Sequence, residues 1–386
     1  PAMTCITRIS SVLFILPPQH LMERIAIIGA GGKRCLAVGG EVPREGPDRK
    51  GSVMTNYRLF GADTSPYSLK VKAFLTYKEL PFEWITRSRS NEAEFQANAQ
   101  AIATVPLLVS PTRPVSQDST TMLAAIEADH AEPSSVPDDP ACAMLALILE
   151  DYADEWLNKC MFQQRWGQSP DREAAALRVL AQLYDGKPPR ARKAPQKQIV
   201  ERMTSRLSLV GAEADNGETL DASWRRFALC LNDHLKNHLC LFGGRPSVAD
   251  FALAAQFQQM LLDPTPGNWL RDRAPFVAAW CTFMEAPQAG GPFADLSALE
   301  ETLAPLFGNE LSLTYLPWAS ANAASAARNR KRFSVTLTDG AFEQATQRYA
   351  ARAFKSLRAA VSATAEDAAL KDFLERTGAD RHFTKA

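Results

Sequence analysis

Residues 57–85 read YRLFGADTSPYSLKVKAFLTYKELPFEWI, and residues 103–127 read ATVPLLVSPTRPVSQDSTTMLAAIE. The first stretch is an apolar strand, a turn with Ser and Pro, an amphipathic helix and a strand rich in aromatic and β-branched residues. Strand, helix and strand within about thirty residues is the size of one βαβ unit. Leu69, Ala73, Phe74 and Tyr77 recur at helical spacing and bury one face. Ser65 is placed to cap that helix, with Pro66 at its first position, where a missing N–H costs nothing. Leu80-Pro81 ends it. The second stretch is an apolar strand opened by Val105-Pro106, a turn, and a helix capped by Asp118 or Ser119 whose apolar face is Met122, Leu123 and Ile126. Between the two, residues 91–103 are polar and Ala-rich and read as a short helix and loop.

Beyond this unit, residues 131–141 (AEPSSVPDDPA) form a linker, and the chain then turns helical. Leu145, Leu149, Tyr152, Trp156 and Cys160 keep helical spacing, and residues 201–210 and 220–240 continue the pattern. Residues 186–198 (GKPPRARKAPQKQ) interrupt it as a basic loop with a solvated-insertion reading. Ser247 and Asp250 form a capping-box pattern ahead of Phe251, Ala254, Ala255, Gln258 and Leu262. Asp263-Pro264 closes that helix, and another begins at Pro275.

Three motifs stand in fixed order: Ser65-Pro66-Tyr67-Ser68 after the first strand, Val105-Pro106 before the third, and Gln117-Asp118-Ser119 before the third helix. Together with the Pro-rich linker and the capped helix they resemble the glutathione S-transferases, over roughly residues 55–290. The resemblance implies an α/β plus all-α fold: a thioredoxin-like N-terminal domain followed by a helical bundle of the transferase type. The expected division is a glutathione-binding domain at 54–130, a linker at 131–141, an all-α domain at 142–300 and a mostly helical extension at 301–386. That extension reads as a helix near 311–328, a strand at 333–337, a turn at Asp339-Gly340 and helices at 343–361 and 366–377. It resembles the extended tail of a bacterial subgroup of transferase-like proteins and is assigned no chemistry.

The first 53 residues do not read as a globular domain. Residues 10–18 (SSVLFILPP) are apolar but short, and residues 25–34 (IAIIGAGGKR) lack the following helix and distant acid of a dinucleotide fingerprint. A Pro/Gly-rich polar stretch then leads to Met54. The expectation is that Met54 is the natural start and that residues 1–53 are a disordered or non-native segment, with a cleaved presequence as the second choice.

Composition bounds the rest. A chain of 386 residues with 46% hydrophobic content has room for two or three domains with real cores. Lys+Arg and Asp+Glu number 43 each, so charge balance predicts neither nucleic acid nor an anionic membrane as the main partner. No apolar run approaches the ~20 residues of a membrane span. Seven scattered cysteines without a C-x-x-C pattern point to free thiols in a reducing, cytoplasmic compartment.

The resemblance also implies a chemistry. Glutathione attacks as its thiolate, so its thiol pKa must fall. A hydroxyl donor and a helix N-terminus both achieve this, and Ser65 offers both. Ser65 is therefore the expected catalytic residue, with Thr64 and Ser68 left open and a plain helix cap as the competing reading. Phe60 stands where tyrosine-type enzymes place their tyrosine, and Ser65 where cysteine-type enzymes place their cysteine, so the serine type is implied. Val105-Pro106 would be a cis peptide whose Val105 backbone pairs with the cysteinyl part of glutathione. Asp118 and Ser119 would hold the γ-glutamyl end.

For the second substrate, an electrophilic small molecule or a peroxide, the expected wall is Tyr67, Trp156, Phe162 and Trp166, with core packing as the alternative for each. Arg165 is read as solvated. His234 and His238, four apart, lack a third ligand, so no metal is expected. The two functions kept open are a glutathione S-transferase using glutathione as co-substrate, expected as a homodimer, and a non-catalytic protein that uses the same fold to bind glutathione or protein partners.

Overall fold

The computed structural model describes residues 56–100, 103–364 and 366–383. The expectations for the first 53 residues lie outside them. β1 (Tyr57–Gly61) is the central strand of a three-stranded sheet of order β2-β1-β3. β2 (Phe82–Thr86) runs parallel to it, with Leu59 opposite Trp84, and β3 (Leu107–Val109) runs antiparallel, with Phe60 opposite Leu107. Parallel neighbours need a crossover, which α1 (Pro66–Tyr77) supplies. Because β1 is central, both its faces are buried. Leu59 joins the large core with Phe74 and Met122, while Phe60 packs on Phe95 of α2 (Glu92–Asn98), ring centroids 5.9 Å apart. β1 ends in glycine because a Cβ on Gly61 would lie 2.2 Å from the Trp84 ring.

α3 (Ser119–Asp129) packs beside α1, and the chain then crosses to the helical layer. This crossing is stapled. The Tyr77 hydroxyl donates to the Ser134 carbonyl at 2.8 Å, and buried Lys78 pairs with Glu127 at 2.9 Å while donating to the His130 and Pro133 carbonyls. Ser135 in turn donates to Glu127 at 2.6 Å.

α4 (Pro140–Tyr152), a π-helical turn (Ala153–Leu157) and α5 (Asn158–Gly167) form one helical path. Leu145, Leu149, Tyr152, Trp156 and Cys160 are all fully buried along it, as their spacing predicts. α6 (Asp171–Leu183), α7 (Lys193–Thr204), α8 (Leu207–Val210) and α9 (Gly217–His234) follow. The basic stretch read as a loop is half helix: α7 begins at Lys193, and Pro195 falls in its first turn, where no intrahelical N–H is needed. α9 is shorter than read and stops at His234.

α10 (Val248–Leu261) is the central helix and carries the expected capping box. Asp250 Oδ2 accepts the Ser247 N–H at 2.8 Å and its hydroxyl at 2.7 Å, while Oδ1 accepts the Leu241 N–H. Burial pushes the Asp250 carboxyl up to about 6, against those hydrogen bonds. α10 also packs on α1: Phe251 lies 5.1 Å from Phe74 and 5.5 Å from Tyr77, centroid to centroid. α11 (Pro264–Arg273), α12 (Pro275–Phe283) and α13 (Leu296–Leu306) complete the bundle.

The C-terminal residues are part of the same core. α14 (Tyr315–Ala327) leads to an antiparallel hairpin of β4 (Arg332–Leu337) and β5 (Gly340–Ala345), then to α15 (Arg348–Ala363) and α16 (Ala368–Thr377). The sequence reading has a helix from 343; the structure has a second strand there instead. Phe342 and Gln344 are buried while Ala341 and Glu343 are exposed, which is the period-two pattern of a strand. Phe342 and Trp318 pack on Trp156 at 5.2 and 5.5 Å, so the tail closes the core that α4 and α5 begin.

Candidate functional site

The three motifs meet at one end of the sheet. Antiparallel pairing sets Leu107 against Phe60, so the Val105–Pro106 peptide lies beside the turn that leaves β1. That peptide is cis, as the resemblance implies. It precedes β3 and stands outside the ladder. Buried Gln117 holds the loop in place: its Nε2 donates to the Thr104 carbonyl at 2.7 Å and its Oε1 accepts the Gln100 N–H at 2.7 Å. The start of α3 is thereby brought to the cis peptide, and Lys70 Nζ, 3.3 Å from Thr120 Oγ1, ties α1 to α3.

The three hydroxyls of the turn are in different situations. Ser68 is fully buried against the sheet. Thr64 Oγ1 donates to Gln182 Oε1 at 3.3 Å. Ser65 is half-buried at the N-cap of α1, and its Oγ accepts the Ser68 N–H at 3.3 Å. Accepting uses a lone pair and keeps the Ser65 O–H as a donor. At the same point the first-turn amides of α1 present the positive end of the helix.

This turn is clamped by the helical layer. Arg165, read from sequence as solvated, is instead buried. Its Nε donates to Asp263 Oδ2 at 2.8 Å, one terminal nitrogen to the Gln259 carbonyl at 2.7 Å, and the other to the Thr64 carbonyl at 3.1 Å. Arg178 meets the second oxygen of Asp263. Gln259 Nε2 donates to the Asp63 carbonyl at 2.9 Å. The two carbonyls before Ser65 are thus both bound by side chains from the other layer.

A second polar cluster lies where α1, α3 and the π turn meet. Lys70 is buried and pairs with Glu150 at 2.8 Å and Asp154 at 2.6 Å. Tyr67 donates to the Asp154 carbonyl at 2.8 Å. Burial and the charges of Asp154, Glu155 and Asp118 raise its pKa well above the usual phenol value. Asp118 caps α3 through the Thr121 N–H at 3.1 Å, and its other oxygen accepts the hydroxyl of Tyr349 from α15 at 2.9 Å. Ser119, one residue on, is buried at the first position of α3. Burial and Asp151 push Glu155 up, and burial pulls Lys159 down.

Of the expected aromatic wall, only Tyr67 is brought to this cluster. Trp156 is fully buried among Trp318 and Phe342, and its indole donates to Ser223 at 2.8 Å; that core position leaves no face for a ligand. Phe162 and Trp166 are also buried, ring centroids 6.5 Å apart on α5. His234 is a core histidine, its ring between Thr302 Oγ1 at 2.8 Å and the Leu241 carbonyl at 3.0 Å. Burial pulls its pKa down to about 4. Among the described residues no group of three or more His, Cys, Asp and Glu is arranged for a metal, and no helix is long and apolar enough to cross a membrane.

Three residues of the site escaped the sequence reading, Lys70, Gln259 and Tyr349, and a fourth, Arg165, was read as solvated. Lys70 had left a signal, since it shares the α1 stripe of Phe74 and Tyr77, where a lysine calls for a buried partner. Gln259 had left another as a polar residue in the apolar α10. Tyr349 had left none, because its partner is 231 residues away.

Comparison with known proteins bears on the fold that carries this site. Residues 59–134 match the family model of the glutathione S-transferase N-terminal domain, and residues 215–282 that of its C-terminal domain. A probable glutathione S-transferase, GSTU6, of Oryza sativa subsp. japonica is 24% identical over 124 residues, 31% of this chain and 52% of that protein. The chain thus spans about half the length of the curated relative it matches. Among solved structures, a glutathione S-transferase of Methylobacterium radiotolerans in complex with glutathione sulfonate is 23% identical, covering 62% of this chain and 97% of its own, with a TM-score of 0.39. The β-etherase LigF of Sphingobium sp. is 17% identical, covering 66% and 100%, with a TM-score of 0.40. Matched at both its domains and in the expected order, the chain carries the two-domain fold of the glutathione S-transferases, a thioredoxin-like N-terminal domain followed by a helical C-terminal one.

Proposed function

We propose that this protein is a serine-type glutathione S-transferase. The observation that carries the reading is the position of Ser65: a half-buried hydroxyl at the N-cap of α1, in the turn that follows β1, whose Phe60 pairs with Leu107 just past the cis Val105–Pro106 peptide. Glutathione would lie along the loop before β3, its cysteinyl backbone paired with Val105. Its γ-glutamyl end would reach the start of α3, where Ser119 and the first-turn amides suit a carboxylate and Asp118 an ammonium. Ser65 would donate its O–H to the sulfur, and the α1 N-terminus would add favourable charge. Both act on the thiolate more than on the thiol, so the thiol pKa falls and its proton leaves to solvent. The thiolate then attacks an electrophilic carbon, forming the C–S bond as the leaving group departs with its bonding electrons, or a peroxide oxygen, where the O–O bond breaks, sulfur is oxidised to a sulfenic acid and the released alkoxide takes a proton from water. Arg165 and Gln259 contribute by holding the Thr64 and Asp63 carbonyls, which keeps the turn in place before substrate arrives.

A domain division at 54–130, 131–141, 142–300 and 301–386, a homodimer, a cytoplasmic location and a role in detoxification belong to the same reading. A second reading, a glutathione-binding or protein-interaction module without catalysis, is favoured by one observation: Trp156, Phe162 and Trp166 are buried, so the expected aromatic wall reduces to Tyr67.

The test is a glutathione titration of the protein and of Ser65→Ala, followed by thiolate absorbance at neutral pH. The expected outcome is thiolate in the wild type and binding without thiolate in the variant. Bound glutathione that stays protonated in both would reduce Ser65 to a helix cap. No binding by the wild type would move the assignment to an interaction module.

A further inference from the structure

Asp118 does more than cap a helix. Its Oδ1 takes the Thr121 N–H at 3.1 Å, as a cap does, but its Oδ2 accepts the hydroxyl of Tyr349, the second residue of α15, at 2.9 Å. The start of α15 is pinned with unusual thoroughness. Gln347 and Asn322 exchange two hydrogen bonds of 2.9 Å, backbone to side chain. The Gln347 side chain accepts Lys159 Nζ at 2.7 Å and donates to the Leu209 carbonyl at 3.0 Å. Three helices therefore fix the residue two places before Tyr349, and the phenol reaches Asp118 from a rigid base.

The chemistry of the pair is specific. A tyrosine that gives its one proton to a carboxylate keeps its oxygen lone pairs, and the carboxylate, with two donors met, keeps further acceptor positions. Two acceptor oxygens stand side by side. Asp154 and Glu155 add negative charge around the phenol and, with Asp118 and burial, raise its pKa, so it remains the donor. Asp154 has Lys70 at 2.6 Å, whereas the donors that meet Asp118 among the described residues are an N–H and an O–H. The Asp118 side of the α3 start therefore suits an ammonium, while Ser119 and the first-turn amides remain for the neighbouring carboxylate.

We propose that Tyr349 is a positioning residue that orients Asp118 and completes with it the seat of the γ-glutamyl ammonium of glutathione, so that the C-terminal extension supplies part of the thiol-substrate site. The inference rests on the glutathione reading above. It gives α15 a role in substrate recognition and leaves the sulfur end, at Ser65, untouched.

The experiment titrates glutathione and its des-amino analogue, in which glutaryl replaces γ-glutamyl, into the full chain by calorimetry. Wild type should prefer glutathione by about tenfold, the scale of one hydrogen-bonded charge. Tyr349→Phe should lose most of that preference while binding the analogue unchanged, and Asp118→Asn should lose it too. Combining the two changes should cost no more than Asp118→Asn alone. Tyr349→His, which keeps a ring N–H donor, should retain the preference, and it serves if the Phe variant melts early. With an activated aryl chloride as acceptor, Tyr349→Phe should raise the KM for glutathione and leave kcat and the bound thiol's pKa unchanged. Equal weakening toward both ligands would make Tyr349 a packing residue and overturn the proposal. A wild type that binds both ligands equally would overturn it while leaving the glutathione reading standing. A wild type that binds neither would sink both.

Discussion

Arg165, on the fifth helix, donates to the carbonyl of Thr64, the residue before Ser65, across 101 residues of sequence and 3.1 Å of space. The same guanidinium neutralises Asp263, which is fully buried. The geometry of the candidate catalytic turn is therefore tied to a buried ion pair in the helical layer.

Removing that arginine should be costly twice over. Arg165→Ala leaves Asp263 with Arg178 alone, and breaking a buried pair costs about 3–5 kcal/mol. Urea unfolding reads the stability, and glutathione thiolate absorbance reads the turn; both should fall. Arg165→Lys keeps the charge but loses the fork, so it should restore part of the stability and less of the thiolate. A variant within about 0.5 kcal/mol of wild type would show that the pair carries no such load.

Trp156 separates packing from binding. It is enclosed by Trp318, Phe342 and Ser223, so Trp156→Ala opens a cavity in the shared core. The expected loss is about 3–5 kcal/mol in denaturant unfolding, with glutathione affinity at 25 °C unchanged in the molecules that remain folded. A rise in KM for the second substrate at unchanged stability would return Trp156 to the cleft.

His234 should make stability depend on pH. It is fully buried, and its folded pKa, pulled down to about 4, lies below its unfolded value of about 6.5. Between those values the unfolded chain takes up a proton that the folded chain refuses. Its contribution is whole above pH about 6.5 and is lost as the pH falls toward 4, by about 3 kcal/mol in total. Asp250, raised to about 6, and Glu310, raised to about 7, act with the opposite sign, so wild type alone does not isolate the effect. The comparison is His234→Asn against wild type at pH 7.5 and pH 4.5. The stability gap should narrow on acidification, and an equal gap at both pH values would contradict the assignment.

Much of the fold was legible in local chemistry. Ser65 with Pro66, Asp118, and Ser247 with Asp250 announce three helix starts, because a short polar side chain ahead of an apolar run satisfies free amides wherever it occurs. The β1–α1–β2 unit follows from spacing alone, and so does the buried stripe from Leu145 to Cys160. The second tail strand was not legible: Gly340–Ala345 carries one large apolar residue, Phe342, and only its register with Val335 and its contact with Trp156 make it a strand.

The sequence by itself determined the order of elements through the β1–α1–β2 unit and α3, the three helix caps, the proline that becomes the cis peptide, and the residue types at the candidate site. These depend on neighbours a few positions away. Tertiary structure decided which polar groups meet: Arg165 with Thr64, Gln259 with Asp63, Lys70 with Glu150 and Asp154, and Tyr349 with Asp118. It also decided that Trp156 is core rather than wall. A buried charge or hydroxyl must find a partner, but nothing local names it, because the partner is set by how separate elements pack around one shared core.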